Sequence, residues 1–182
     1  MSHVLVPLAQ GCEELEAITI TDLLTRAGVT VTTCGLDNQP VKASRGITII
    51  PDTSIDQVLS TAFDLIVLPG GLPGSDHLRD NDHIQALIKK QASNNKYVAA
   101  ICAAPKALAE AGLLEGKTAT GFPGVLAALK NDAITISDNA VEIDGNIVTS
   151  RSAGTAMDFA LSLIELLEGK EKRDEIDKQL AR

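Results

Sequence analysis

Aromatic residues are scarce: tryptophan is absent, and Phe63, Phe122, Phe159 and Tyr97 make up 2% of the 182 residues. So few π faces give no stacking platform for single-stranded nucleic acid. Basic residues are outnumbered, 16 Lys and Arg against 24 Asp and Glu, for a formal net charge of −8. No basic patch interrupts that excess, so no stable nucleic-acid binding is expected. No run of about 18 apolar residues is present to span a bilayer. The N-terminus, MSHVLVPLAQGCEE, lacks the segments of a secretory signal. Cys12, Cys34 and Cys102 are odd in number and without CxxC spacing, and His3, His77 and His83 are scattered. That pattern argues against a disulfide framework and against a metal site. The expectation is a cytoplasmic protein with reduced thiols.

What is present is aliphatic. The chain is 45% hydrophobic, and its length fits one domain, 1–182, with a core built from Leu, Ile, Val and Ala. Short apolar runs predict strands over 3–8, 29–36, 47–50, 64–68 and 97–101, and a hairpin of 141–143 with 147–150 around Asp144-Gly145. Helical spacing predicts helices over 13–27, 81–94, 105–111 and 154–167. Residues 52–54 are read as the cap of another helix, carrying Ile55, Val58 and Leu59. The tail, 170–182, mixes both signs of charge with Ile176 and Leu180 and reads as a solvated terminal helix. Such alternation implies an α/β fold, a doubly wound, mostly parallel sheet sandwiched by helices.

In that architecture functional groups collect beyond the carboxyl ends of the strands. Three segments fall there: Gln10-Gly11-Cys12-Glu13-Glu14-Leu15-Glu16, Pro69-Gly70-Gly71-Leu72-Pro73-Gly74, and Cys102-Ala103-Ala104-Pro105. Cys102 occupies a tight strand-to-helix turn with small neighbours, as a nucleophile elbow requires. The start of the following helix favours thiolate; a buried, inert thiol is the competing reading. Gly70-Gly71 is either a plain turn or a nest of N–H groups that accepts negative charge. Neither the dinucleotide fingerprint nor the P-loop pattern is met. Glu13, Glu14 and Glu16 suit the first turns of a helix. Helical periodicity turns one of them, Glu16, toward the sheet-end crevice, where burial would raise its pKa and let it carry a proton. Cys12 reads either as a small packing residue or as a second redox thiol that resolves oxidised Cys102.

The segments GCEELEA, DLLTRAGVTVT, KASRG, DLIVLPGG, VAAICAAP, TGFP and TSRSAGTAMDFAL occur in one order along nearly the whole chain. In these the sequence resembles the ThiJ/PfpI superfamily, most of all its YajL-like branch, which is similar to the human parkinsonism-associated deglycase. The resemblance implies a flavodoxin-like sandwich, a homodimer and no cofactor. It implies Cys102 as the reactive cysteine, Glu16 as the protonated glutamate beside it, and Gly71 and Ala103 as backbone donors of a small anion pocket. Arg45 matches a basic residue that reaches the site region near the dimer interface. Two departures follow. Phe122, assigned to the pocket wall, stands where the human relative has a histidine; Ala103 stands where intracellular proteases of the superfamily have one, so a Cys-His protease is not expected. The implied activity is a glyoxalase or deglycase acting on α-oxoaldehydes such as methylglyoxal and their early adducts, in carbonyl and oxidative stress protection. The alternative is a redox sensor or redox-activated chaperone that uses the same thiol.

Overall fold

The computed structural model describes residues 1–181. In chain order the elements are β1 (His3–Leu8), α1 (Glu14–Arg26), β2 (Thr30–Gly35), β3 (Val41–Lys42), β4 (Thr48–Ile49), β5 (Thr53–Ser54), β6 (Leu65–Leu68), α2 (Gly74–Asp80), α3 (Asp82–Ser93), β7 (Tyr97–Ile101), α4 (Pro105–Glu110), β8 (Thr118–Ala119), β9 (Thr135–Ile136), β10 (Val141–Asp144), β11 (Ile147–Ser150), α5 (Ala156–Glu168) and α6 (Lys170–Gln179). Seven strands form the main sheet in the order β10-β11-β7-β6-β1-β2-β5. All pair in parallel except β10, the antiparallel hairpin partner of β11.

The central strands β1, β6 and β7 present no polar face, and Val4 to Val6, Leu65 to Leu68 and Val98 to Ile101 are all buried. Strands covered by helices on both sides need that composition. Ile20 and Leu24 of α1, Phe159 and Ile164 of α5, and Ile176 of α6 cover one face. Leu78 of α2, Ile84 and Ile88 of α3, and Leu108 of α4 cover the other. The parallel strands β2-β1-β6-β7-β11 follow the flavodoxin-like order, whose topological switch point lies between the first and third strands. Here that is the gap between β1 and β6.

Three expectations change. The helix predicted after 52–54 is instead the edge strand β5, paired Cys34↔Thr53, followed by one 3₁₀ turn at Ile55–Gln57. Asp52 caps nothing; its Oδ2 accepts from Thr33 N at 2.8 Å and Thr33 Oγ1 at 2.7 Å, fixing the edge. Residues 47–50 join the main sheet nowhere: β4 pairs only with β3, as a separate antiparallel ribbon. The tail is helical but not simply solvated, because Ile176 is wholly buried and Leu180 packs on the core. Among the described residues no helix is long and apolar enough to cross a membrane.

Candidate active site

The loops after β1, β6 and β7 meet at the switch point. Glu13 N donates to Gly70 O at 2.9 Å, so the first two loops are in backbone contact. Gly71 has φ +89°, and a Cβ there would collide with Glu13 N and lie 2.6 Å from the Cys12 carbonyl carbon. Only glycine fits. The β7 loop turns at Cys102, which adopts φ +63°, a conformation uncommon outside glycine. Its backbone is held from both sides: Cys102 N donates to Ser150 O at 2.9 Å, and Phe122 N donates to Cys102 O at 2.6 Å. Strain of this kind persists where the surroundings over-determine it. Pro105 then opens α4 at its first turn, where its missing N–H costs nothing.

The elbow aims the thiol at the N–H groups of Ala103 and Gly71, both of which hydrogen-bond the sulfur. Glu16, on α1, is fully buried. Its Oε2 accepts from Gly70 N at 2.8 Å; its carboxyl also interacts with the Cys102 thiol, and Oε1 has no further partner. A Cβ at position 70 would come within 2.7 Å of both Cys102 Cβ and Glu16 Oε2. Gly70 was expected among the anion donors. Its N–H goes to Glu16 instead, and its bareness is what lets thiol and carboxyl meet.

Burial raises the Glu16 carboxyl to about 7, against the opposing bonds from Cys102 and Gly70. Burial, and then the charge of an ionised Glu16, push the Cys102 thiol up to about 12, while the Ala103 and Gly71 N–H groups pull it down. The thiolate expected from the helix start thus meets a stronger opposing effect. The two groups titrate as one pair. A proton on Glu16 removes the repulsion and lets the carboxyl donate to sulfur, so the pair holds one proton readily and two charges poorly.

The remaining predicted residues are less central. Arg45 lies in the β3–β4 turn with its side chain 79% exposed, and its Nε is 3.9 Å from Glu13 Oε2. Phe122 is half exposed and lines a small cavity with Leu126 and Ile136; its backbone N–H bonds the Cys102 carbonyl. Cys12 is wholly buried, and burial followed by the Glu14 charge pushes its thiol up to about 11. Two residues were missed. Glu14, read as a first-turn acid, is buried and accepts from Ser44 Oγ at 3.1 Å and Arg45 N at 2.9 Å. Burial works to raise it, but these bonds and those from its own and the Ile47 N–H hold its carboxyl below the usual range. Lys106 is buried with Nζ 2.6 Å from Asp76 Oδ1; a lysine beside Pro105 at a helix start was the available signal. Among the described residues no group of three or more His, Cys, Asp or Glu is placed to hold a metal ion.

With the site in view, relatives are informative. The sequence profile of the DJ-1/PfpI family matches residues 2–166. Protein dj-1beta of Drosophila melanogaster is 46% identical over 177 residues, covering 97% of this chain and 95% of that protein. The crystal structure of Drosophila DJ-1beta superposes with a TM-score of 0.95 at 45% identity, over 100% of this chain and 98% of that one. Oxidized Toxoplasma gondii DJ-1 superposes with a TM-score of 0.94 at 37% identity, over 100% of this chain and 98% of that one. The glutathione-independent glyoxalase DJR-1.2 of Caenorhabditis elegans is 34% identical, over 97% of this chain and 94% of its own length. Matched by the family profile through most of its length, and by relatives end to end, this chain belongs to the DJ-1/PfpI family.

Proposed function

We propose that the protein is a cysteine-dependent, cofactor-independent glyoxalase/deglycase for α-oxoaldehydes such as methylglyoxal and their early adducts, working in the cytoplasm in protection against carbonyl and oxidative stress. The observation that carries this reading is the pair itself: an elbow thiol held by two N–H donors, touching a buried carboxyl whose pKa is about 7. A proton carrier is best placed when its pKa lies near working pH. The glyoxalase named among the relatives supports the same class.

The Cys102 sulfur adds to the aldehyde carbon and the C=O π pair moves to oxygen, which is protonated to a hemithioacetal. Gly71 and Ala103 N–H groups stabilise that oxygen while it carries charge. Glu16, as carboxylate, takes the proton from the former aldehyde carbon to give an enediolate and returns it to the neighbouring carbon, while the hemithioacetal hydroxyl proton passes to the former ketone oxygen. The product is a thioester of the hydroxy acid. Water hydrolyses it, releasing the acid and the thiol, so no external oxidant is needed. Phe122 is assigned to the pocket wall and Arg45 to its outer rim.

The assembly proposed is a homodimer. Leu15 and Ile18 on α1 and Met157 on α5 are each about half exposed, and Leu15 and Met157 border an open depression of ≈ 320 Å³. That is an apolar surface a second copy would cover.

One observation favours a second reading, a redox sensor or redox-activated chaperone. Cys102 alone of the three thiols is not fully buried, which suits oxidation to sulfenic and sulfinic acid. Cys12 as its resolving partner has less support, being wholly buried.

Lactate formation from methylglyoxal decides between the readings. Cys102→Ser should reduce it to background with the fold intact. Near-wild-type turnover in that variant overturns the proposal; a wild type that forms no lactate, yet oxidises stoichiometrically at Cys102, favours the redox reading.

A further inference from the structure

Lys106 breaks two local rules. It follows Pro105 in the first turn of α4, where the helix dipole opposes a cation. It is also nine-tenths buried, where an ammonium needs a partner. The partner is Asp76, in the first turn of α2, 2.6 Å away. Asp76 is in turn braced by Arg79 at 3.3 Å, and Arg79 grips Asp80 through two bonds. Breaches of local preference concentrate at functional sites.

What the pair joins gives it meaning. The first turn of α2 is tied to the glycine loop, with Ser75 N donating to Gly71 O at 2.9 Å and Asp76 N to Pro73 O at 2.9 Å. The first turn of α4 is tied to the elbow, with Ala104 N donating to Ile101 O at 3.0 Å and Ala107 N to Ala104 O at 2.8 Å. Gly71 and Ala103, the two donors to sulfur, therefore sit on two separate loops. The Lys106–Asp76 bond spans the helices that leave those loops.

We propose that Lys106 and Asp76 are positioning residues, whose ion pair sets the spacing between the Gly71 and Ala103 N–H groups and so how firmly the pocket holds an anion at Cys102. The inference rests on this pocket being the reactive site, and it is independent of the substrate. Glu16 on α1 is the titratable group facing the thiol, and Glu13 bears on Glu16; neither is altered in the variants below.

The test is the pH dependence of Cys102 alkylation by iodoacetamide, followed by peptide mass spectrometry, in Asp76→Asn and Lys106→Met. Thermal melting and the kcat and KM for methylglyoxal are measured alongside. The alkylation profile should move up by about one pH unit, roughly a tenfold loss of thiolate near neutrality. The charge-reversed pair, Lys106→Asp with Asp76→Lys, should restore it. Should Lys106→Met fail to fold, Asp76→Asn decides alone, since that side chain is about a third exposed. Profiles that coincide with wild type while melting falls make the pair purely structural and overturn the proposal, as does a charge-reversed pair that recovers nothing. A shifted profile in a protein that turns over no methylglyoxal sinks the glyoxalase reading and leaves the positioning role standing.

Discussion

At position 70 a methyl group would occupy the space in which Cys102 Cβ and Glu16 Oε2 approach each other, so the thiol–carboxyl pair depends on a side chain that is missing. The pair has a measurable signature. The folded carboxyl of Glu16 sits at about 7 against an ordinary 4.5, so the native state binds this proton more tightly than the unfolded chain. Its contribution to stability is therefore complete below about 4.5 and is lost as pH rises through about 7. The rise corresponds to roughly 3 kcal/mol. Glu16→Gln, uncharged throughout, should flatten that slope; urea melts between about pH 5 and about pH 8 measure it. Equal slopes in variant and wild type would mean that Glu16 ionises as an ordinary surface acid. Of the three glutamates near the start of α1, periodicity marked Glu16 for the crevice. Nothing in the spacing marked Glu14, because its partners, the Ser44 hydroxyl and the Arg45 N–H, lie 30 and 31 positions further along the chain.

At the scale of elements, legibility followed burial. β1, β6 and β7 were visible as unbroken apolar runs because helices cover both their faces. β5 was not visible: two residues, Thr53 and Ser54, become a strand only through β2 beside them. The same logic applies to α6, whose charged sequence conceals one anchor. Ile176 has no exposed surface, so Ile176→Ala should cost about 2–5 kcal/mol in a urea melt. A solvated tail would register less than about 0.5 kcal/mol. The surface ion pairs of α6, Lys170–Asp174 and Lys172–Glu175, are worth little by comparison. The α4 start shows the opposite case, a violation readable in sequence as a lysine at the wrong end of a helix but interpretable only once Asp76 was seen beside it.

For the whole molecule, strand–helix alternation and the order of motifs identified the sandwich, whereas the proposed pairing of two copies rests on half-exposed apolar residues such as Leu15, Ile18 and Met157. If the half-exposed Ile18 lies under a second copy, Ile18→Glu should shift the sedimentation of the protein from dimer to monomer at micromolar concentration, with the melting curve of the monomer retained. Unchanged sedimentation of a dimeric variant would place the interface elsewhere. The strand order carries one more consequence, which concerns time rather than space. Glu16 and Gly70 stand 54 positions apart, and the elbow is completed only when Cys102 N finds Ser150 O. A chain emerging from the ribosome therefore exposes Cys102 well before it has β11 to brace the turn. Until then Glu16, Gly71 and Cys102 are all present in the chain, but the turn that aims the thiol lacks the Ser150 carbonyl that holds its backbone N–H. The elbow is braced late, so a chain that ends before Ser150 carries every residue of the thiol–carboxyl pair but lacks the backbone bond that holds the turn.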